Sequence, residues 1–342
     1  MEWQLETVDY EIGPHISIAV DSNRYPHIAY CDYDERILKY AYQDGDGWHI
    51  EDVDVGDSDL GTQCSLALDQ DDCPHISYYG GVQVHTLKYA YKIEGVWYIE
   101  TADGPYIYYD TQTGIAIDSM GYPHISYCFT WPTQEDLKHA YKDGSGWHTE
   151  VITSFFYTTA HTSIALDSND FPHVCYESPD TDSMDYAYKD ENGWHIETIE
   201  SAGYYNYSPA DIAIDSVGQP HVSYIEDNTD VLKYAYRDGD GWHIEIVDAT
   251  YYLEGQTSIA IDSGNNPYIS YINHELDDLK CAYKIGSWNI ETVSDEYYVE
   301  RSTSIAVDNN GYIHIAYLNA DTDDLRYAIG YPLISRTYFL LA

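Results

Sequence analysis

Six histidines recur at one place in a repeated motif: His27, His75, His124, His173, His221 and His314, with Tyr268 in the seventh copy. Imidazoles in such number could ligate a metal or relay protons. Equivalent residues of successive repeats point outward from one another, however, and cannot converge at the ~2.0–2.1 Å a zinc ligand needs. Buried imidazoles hydrogen-bonded within or between repeats are the expectation. A second set, His49, His148, His195 and His243, falls on outer strands and is expected to be partly exposed. Seven aspartates, Asp21, Asp69, Asp118, Asp167, Asp215, Asp262 and Asp308, invite a calcium or acid–base role. Their common position at a turn assigns them instead to turn chemistry, in which Asp bonds nearby backbone.

Aromatic residues are the other candidates. Tyr108, Tyr157, Tyr205, Tyr252 and Tyr298 lie in aromatic-rich stretches that also hold Phe155, Phe156 and Tyr204, and Trp131 is the one Trp outside the repeat register. Just after these stretches come His15, Gln63, Gln112, His161, Gln256 and Arg301. Flat ring faces beside amide and charged groups suit sugars, whose CH surfaces stack while their hydroxyls hydrogen-bond; a peptide or a cationic ligand fits the same surface. The alternative is that these tyrosines pack between loops and cap the fold.

The elements that position these residues follow from the repeat. Residues 211–248 contain four alternating runs, DIAI, PHVSY, LKYAY and WHIEIV, separated by turn-forming Asp, Ser and Gly. Each reads as a strand of an antiparallel meander. The Trp opening the fourth run recurs at Trp3, Trp48, Trp97, Trp147, Trp194, Trp242 and Trp288. That period with four strands per unit predicts an all-β, seven-bladed β-propeller of four-stranded antiparallel blades. The chain begins with a lone fourth strand at 3–8, whereas the last repeat has only three strands; the N-terminal strand should complete that blade and remove an exposed edge. The propeller spans 1–329, and 330–342, GYPLISRTYFLLA, is an apolar C-terminal tail beyond it.

Pairing Tyr42 with Trp48 across the Asp-Gly turn sets Lys39 opposite Glu51, and by the same register Lys88 opposite Glu100, Lys138 opposite Glu150 and Lys233 opposite Glu245. These lysines are structural. In the fourth repeat Asp185 then faces Glu197, a solvated acidic pair. The turns between first and second and between third and fourth strands share one short, uniform face, the scaffold. The opposite face receives the variable aromatic loops, and with them the mouth of the central channel.

The net charge of −44, from 59 acidic and 15 basic residues, repels nucleic acid, anionic membrane surfaces and polyanionic glycans. No run approaches the ~20 apolar residues of a membrane span, so no membrane insertion is expected. The six cysteines form no disulfide framework and read as free, packing residues. Met1 stands directly before the closing strand, so the protein is either cytoplasmic or has lost a leader, and an extracellular or cell-surface location is the expectation. No GxSxG, HExxH, phosphate loop or paired CxxC occurs. Acids are too common for a glycosidase pair to stand out, and the one sequon, Asn206-Tyr207-Ser208, is a weak signal.

The unit SIAIDSxGxPHISY…LKYAYKDGxGWHIETV resembles the tandem repeats of bacterial and archaeal propellers in the sialidase-like, BNR-related group, from Trp3 to about Ile329. The resemblance implies the propeller. Sialidases of that architecture use an arginine triad with a Tyr/Glu pair and an acid. Here the arginines are Arg24, Arg36, Arg237, Arg301, Arg326 and Arg336; Arg24 and Arg237 lie toward the scaffold face and Arg326 replaces a repeat lysine, and the Asp-box spacing is absent. Propeller lectins are the nearer analogy. The first expectation is therefore a non-catalytic, carbohydrate-binding protein: Tyr108, Trp131, Tyr157, Tyr205, Tyr252 and Tyr298 stack, while His161, Gln256 and Arg301 orient. A structural or assembly module, self-associating through the tail, is an alternative, and so is a polysaccharide-acting lyase or hydrolase with a His/Tyr acid–base group. No metal site or cofactor is required, though acidic loops are compatible with calcium.

Overall fold

The computed structural model describes residues 1–331 apart from Tyr33, 57–59, 61–62, 82–84, 106–111, 132–133, 157–160, 202–208, 227–228, Tyr251, Glu254, 296–298 and Ala320; for Thr130, Trp131, Gln134 and 299–301 it describes the backbone alone. Its 28 strands form seven four-stranded antiparallel sheets. Blade one comprises Ile16–Val20, Pro26–Asp32, Ile37–Asp44 and Gly47–Val55, and blades two to six repeat that order. Blade seven joins Val299–Val307, Ile313–Asn319 and Asp324–Tyr331 to the N-terminal strand Glu2–Asp9. Its last strand runs two residues into the stretch read as tail. Trp3 lies opposite Gly330, where a Cβ would come within 2.7 Å of the Trp3 ring, so closure itself requires a glycine there.

Burial follows the strand order. Every residue of the second strand PHIAYCD is buried because neighbouring blades cover both of its faces, whereas the fourth strand GWHIEDVDV alternates and meets solvent. The core accordingly lies between blades. One cluster joins Ala29, Leu38, Tyr40 and Val53 of blade one to Leu66, Ile76, Tyr78 and Ala90 of blade two. Another joins Leu318, Leu325 and Tyr327 to Ile18, Ile28 and Tyr30, across the seam where the ring closes.

The hairpin register differs by one residue from the sequence expectation. Asp44 pairs with Gly47, leaving two residues in the turn, so Tyr42 faces His49 and Gln43 faces Trp48. The two-residue loop wins because Asp44 accepts the Asp46 N–H at 2.8 Å while Gly47 takes a φ of 116°. A bulge between Leu38 and Lys39 shifts the strand again. Lys39 therefore does not meet Glu51; it binds Asp32 at 2.8 Å. Glu51 instead receives Lys92 at 2.6 Å and the Trp97 indole at 2.9 Å, both from blade two. The same link recurs as Lys142 and Trp147 on Glu100, Lys189 and Trp194 on Glu150, Arg237 and Trp242 on Glu197, and Lys284 and Trp288 on Glu245. Lys88 and Lys138 likewise reach back one blade, to Asp54 and Asp103. These ion pairs tie blade to blade. Asp185 faces Thr198 and bonds Ser183, so it forms no acidic pair with Glu197, and burial raises its pKa.

The turn aspartates behave as expected: Asp21 Oδ1 accepts the Tyr25 N–H at 2.6 Å, and Asp118 Oδ1 accepts the Tyr122 N–H at 2.7 Å. Five of the six second-strand histidines sit between these aspartates and a third-strand tyrosine, and His124 meets His139 in the tyrosine's place. His75 places one ring nitrogen 2.5 Å from the Tyr89 hydroxyl and the other 3.3 Å from Asp69, and His27, His173, His221 and His314 bond Tyr40, Tyr186, Tyr234 and Tyr327. Burial lowers the pKa of each. None of the six cysteines is in a disulfide, and five of them are buried. Among the described residues no helix is long and apolar enough to cross a membrane, and no group of three or more His, Cys, Asp or Glu could hold a metal ion.

Candidate functional site

The first strands of the blades surround the central channel and turn one edge toward it. Their free edge N–H groups need partners. A small polar residue supplies them in most blades. Ser17 Oγ accepts from Leu66 N (3.0 Å), Ser65 Oγ from Ile115 N (3.3 Å), Ser258 Oγ from Ile305 N (3.2 Å) and Ser304 Oγ from Ile18 N (3.1 Å). Ser163, Asp211 and Gly114 occupy the same place in the other three blades. Asp211 collects four donors: Ser163 Oγ at 2.6 Å, Ser258 Oγ at 2.9 Å, Ile259 N at 2.9 Å and its neighbour Ile212 N at 3.0 Å. Its carboxyl touches channel space but is enclosed by protein, and this desolvation raises its pKa against the lowering effect of those bonds.

Within this ring lies a cavity of about 170 Å³ lined by Gln112, Thr113, Gly114, Thr162, Asp211 and Gln256 among others. Two residues expected at the mouth, Gln112 and Gln256, thus meet at one space. His15 and His161, from blades one and four, are near enough for the charge of one to oppose that of the other; burial first, and His161 second, lower the His15 pKa to about 4. His15 is therefore a neutral donor and acceptor at physiological pH. Its backbone oxygen lies 3.8 Å from Cys64 Sγ.

The aromatic rim divides. Tyr252 is half exposed at a φ of 63°, its backbone oxygen accepting the His274 N–H at 3.0 Å, so the turn presents its ring outward. Phe156 is 83% exposed and held by its N–H on the Asp180 carboxylate at 3.1 Å, whereas Phe155 packs inside against Tyr176. Tyr10, in the loop entering blade one, is 65% exposed and was not among the sequence candidates; its position before the first strand was the available signal. Tyr108, Tyr157, Tyr205 and Tyr298 lie outside the described residues, as does 332–342 of the tail. Trp131 ends the strand Pro123–Trp131 and Arg301 lies in Val299–Val307, with only their backbones described. Asp211 was legible only as the acid in DIAI where other repeats have SIAI, SIAL or GIAI.

No family model and no curated protein matches this sequence. Solved structures match the fold. An ulvan lyase of a polysaccharide lyase family, bound to -[GlcA(1-4)Rha3S]-, aligns with a TM-score of 0.68 at 13% identity over 96% of this chain and 97% of that one. Catalytically inactive virginiamycin B lyase from Staphylococcus aureus with quinupristin gives 0.60 at 12% identity, covering 96% and 100%. Aleuria aurantia lectin in complex with Fucα1-6GlcNAc gives 0.58 at 12% identity, covering 84% and 98%. At these identities the likeness is one of fold.

Proposed function

We propose that the protein binds carbohydrate without transforming it, through the variable face at the channel mouth. The observation that carries this reading is the meeting of two uncharged amides, Gln112 and Gln256, at one cavity, together with the exposed rings of Tyr252, Phe156 and Tyr10 in loops that lead into the first strands. Amides and neutral imidazoles donate to and accept from hydroxyls, and ring faces stack on CH surfaces. Tyr108, Trp131, Tyr157, Tyr205 and Tyr298 extend that rim in this reading, and His161, Gln256 and Arg301 orient the ligand. Glycan-bound propellers of similar fold support it. A glycan array probed with and without calcium tests the proposal, and the double variant Y252A/Q256A should lose at least tenfold in affinity, about 1.4 kcal/mol, at an unchanged melting temperature. Retained affinity would remove the site assignment; a blank array with folded protein would remove the function.

One observation favours a second reading, a polysaccharide lyase. His15 and His161 lie near enough for their charges to interact, a pair of imidazoles through which a proton could be taken and returned in an elimination next to a uronate carboxylate. Incubation with uronate-containing polysaccharides would reveal it by the ultraviolet absorbance of an unsaturated product, lost in H15A and in H161A; no absorbance leaves the binding reading alone.

A further inference from the structure

Among the described residues four Tyr, Phe or Trp side chains are exposed: Tyr10, Tyr98, Phe156 and Tyr252. Three of them share one setting, a loop that leaves a fourth strand and enters the next first strand, whereas Tyr98 lies on the outer strand Val96–Asp103. Tyr10 and Phe156 stand seven residues before the channel-edge serines Ser17 and Ser163, and Tyr252 stands six before Ser258. Exposed rings thus occur at matching places of blades four, six and one, on alternate blades around the mouth. In sequence, the blades between them carry Tyr204-Tyr205 and Tyr297-Tyr298 at these two places, outside the described residues.

The loop under each ring is fixed by hydrogen bonds. In blade one the Ile12 N–H donates to Asp323 O at 2.8 Å and the Gly13 N–H to Cys31 O at 2.7 Å, with the Ile12 side chain buried. In blade four the Phe156 N–H meets both Asp180 carboxylate oxygens at 3.1 Å, while Phe155 packs on Tyr176. In blade six the Tyr252 oxygen accepts the His274 N–H at 3.0 Å, and the next residue, Leu253, is fully buried. Tyr252 holds a φ of 63°, and Glu11, also six residues before its channel-edge serine, holds 58°. That left-handed backbone suits Gly, Asn or Asp and disfavours a bulky side chain, so the loop itself does not call for tyrosine. Rings held in place in this way lose little freedom when a ligand stacks on them.

We infer that the ligand is a linear chain of uncharged sugar residues laid along the rim from blade four through blade six to blade one, an inference that rests on the carbohydrate-binding reading above. Facing sheets pack about 10 Å apart, and rings on alternate blades have a whole blade between them, which one sugar residue does not span. A single sugar therefore stacks on one ring, and only a chain uses all three. A protein partner favours one continuous apolar core, whereas Tyr10, Phe156 and Tyr252 stand apart on separate blades. The net charge of −44, with exposed Glu11 next to Tyr10 and Asp180 bonded to the Phe156 N–H, opposes a chain that carries carboxylates or sulfates.

The test measures wild type, F156A and Y10A by calorimetry against cello-, manno-, xylo- and laminari-oligosaccharides from disaccharide to octasaccharide, with oligogalacturonate as the anionic comparison. In one neutral series affinity should rise roughly tenfold or more with chain length, as added residues reach further rings. F156A and Y10A should each weaken octasaccharide binding about threefold to tenfold, the worth of one ring contact, and that deficit should shrink as the chain is shortened. Both side chains are mostly exposed, so the melting temperatures should match that of wild type. A disaccharide that binds as tightly as its octasaccharide, wild-type octasaccharide affinity in both variants, or a preference for oligogalacturonate overturns the extended chain while leaving binding at Tyr252 and Gln256 intact. Binding confined to a branched or single-sugar array glycan does the same. Failure of wild type to bind any of these chains or any array glycan overturns both.

Discussion

Replacing His139 by tyrosine should make the protein measurably less sensitive to acid. Blade three alone pairs two histidines where five blades pair His with Tyr: His124 Nδ1 lies 3.1 Å from His139 Nε2. His139 is 1% exposed and burial lowers its pKa; burial, and then the neighbouring His139, take that of His124 down to about 3. His124 is thus neutral in the folded protein at pH 5 and burial pushes His139 the same way, whereas in the unfolded chain, near 6.5, both are protonated at that pH. Where the unfolded state binds more protons, stability falls as pH falls. The loss begins below about pH 6.5 and continues toward the folded-state value. A histidine that stays neutral when folded loses about 2 kcal/mol between pH 8 and pH 5, from 1.36 kcal/mol per pH unit. H139Y removes one such group, and its hydroxyl can bond His124 as Tyr89 bonds His75 at 2.5 Å. The new ring meets Trp194 edge-on, as Tyr89 meets Trp147. Urea midpoints of wild type and H139Y at pH 8 and pH 5 give the check, since any packing change common to both pH values cancels in the difference. The variant should retain up to about 2 kcal/mol more of its pH 8 stability at pH 5. Equal pH dependence in the two proteins would refute the claim that the His124–His139 pair is held neutral by burial.

Two further changes probe the ring of blades. W97F removes the indole N–H that donates to Glu51 at 2.9 Å while keeping an aromatic ring against Tyr40, and should cost about 1–2 kcal/mol by chemical denaturation; an unchanged midpoint would mean that the Trp–Glu link between blades contributes through packing alone. D211S restores the ring residue of other blades. Because burial raises the Asp211 pKa, the carboxylate disfavours the folded state increasingly as pH rises past the ordinary value of 3.8. D211S should therefore stabilise more at pH 8 than at pH 4, and a benefit confined to pH 4 in paired melting curves would contradict that.

The number of blades, their strand order and the closure by the N-terminal strand were all legible in the chain. The reason is local: alternation with period two, Asp and Gly at turns, and a Trp at the head of each fourth strand each act over a few residues and are written seven times. The roles of Asp21 and its counterparts, and of the histidines beside them, followed from the same repetition. The hairpin register did not, because two neighbouring turn closures differ only in whether Asp44 or a residue beside it closes the loop, and the bulge before Lys39 shifts the pairing again. That single step sends Lys92 and Trp97 to Glu51 in the preceding blade rather than across their own hairpin.

What lies at the channel belongs to tertiary structure for a further reason. His15 and His161 are 146 residues apart, and only closure of the ring brings them near enough to oppose each other's charge. Ser126 and Thr162 follow in sequence the pattern of the bonded pairs Ser77–Thr113, Ser223–Thr257 and Ser270–Thr303, yet their hydroxyls stay unpaired beside Gly114, since bonding there depends on how two blades dock. The sequence by itself determined the repeating scaffold, whose contacts are local and periodic. The cavity and the approach of His15 to His161 were decided by the packing of blades against one another, where a repeat broken at one residue changes what its neighbours can bond.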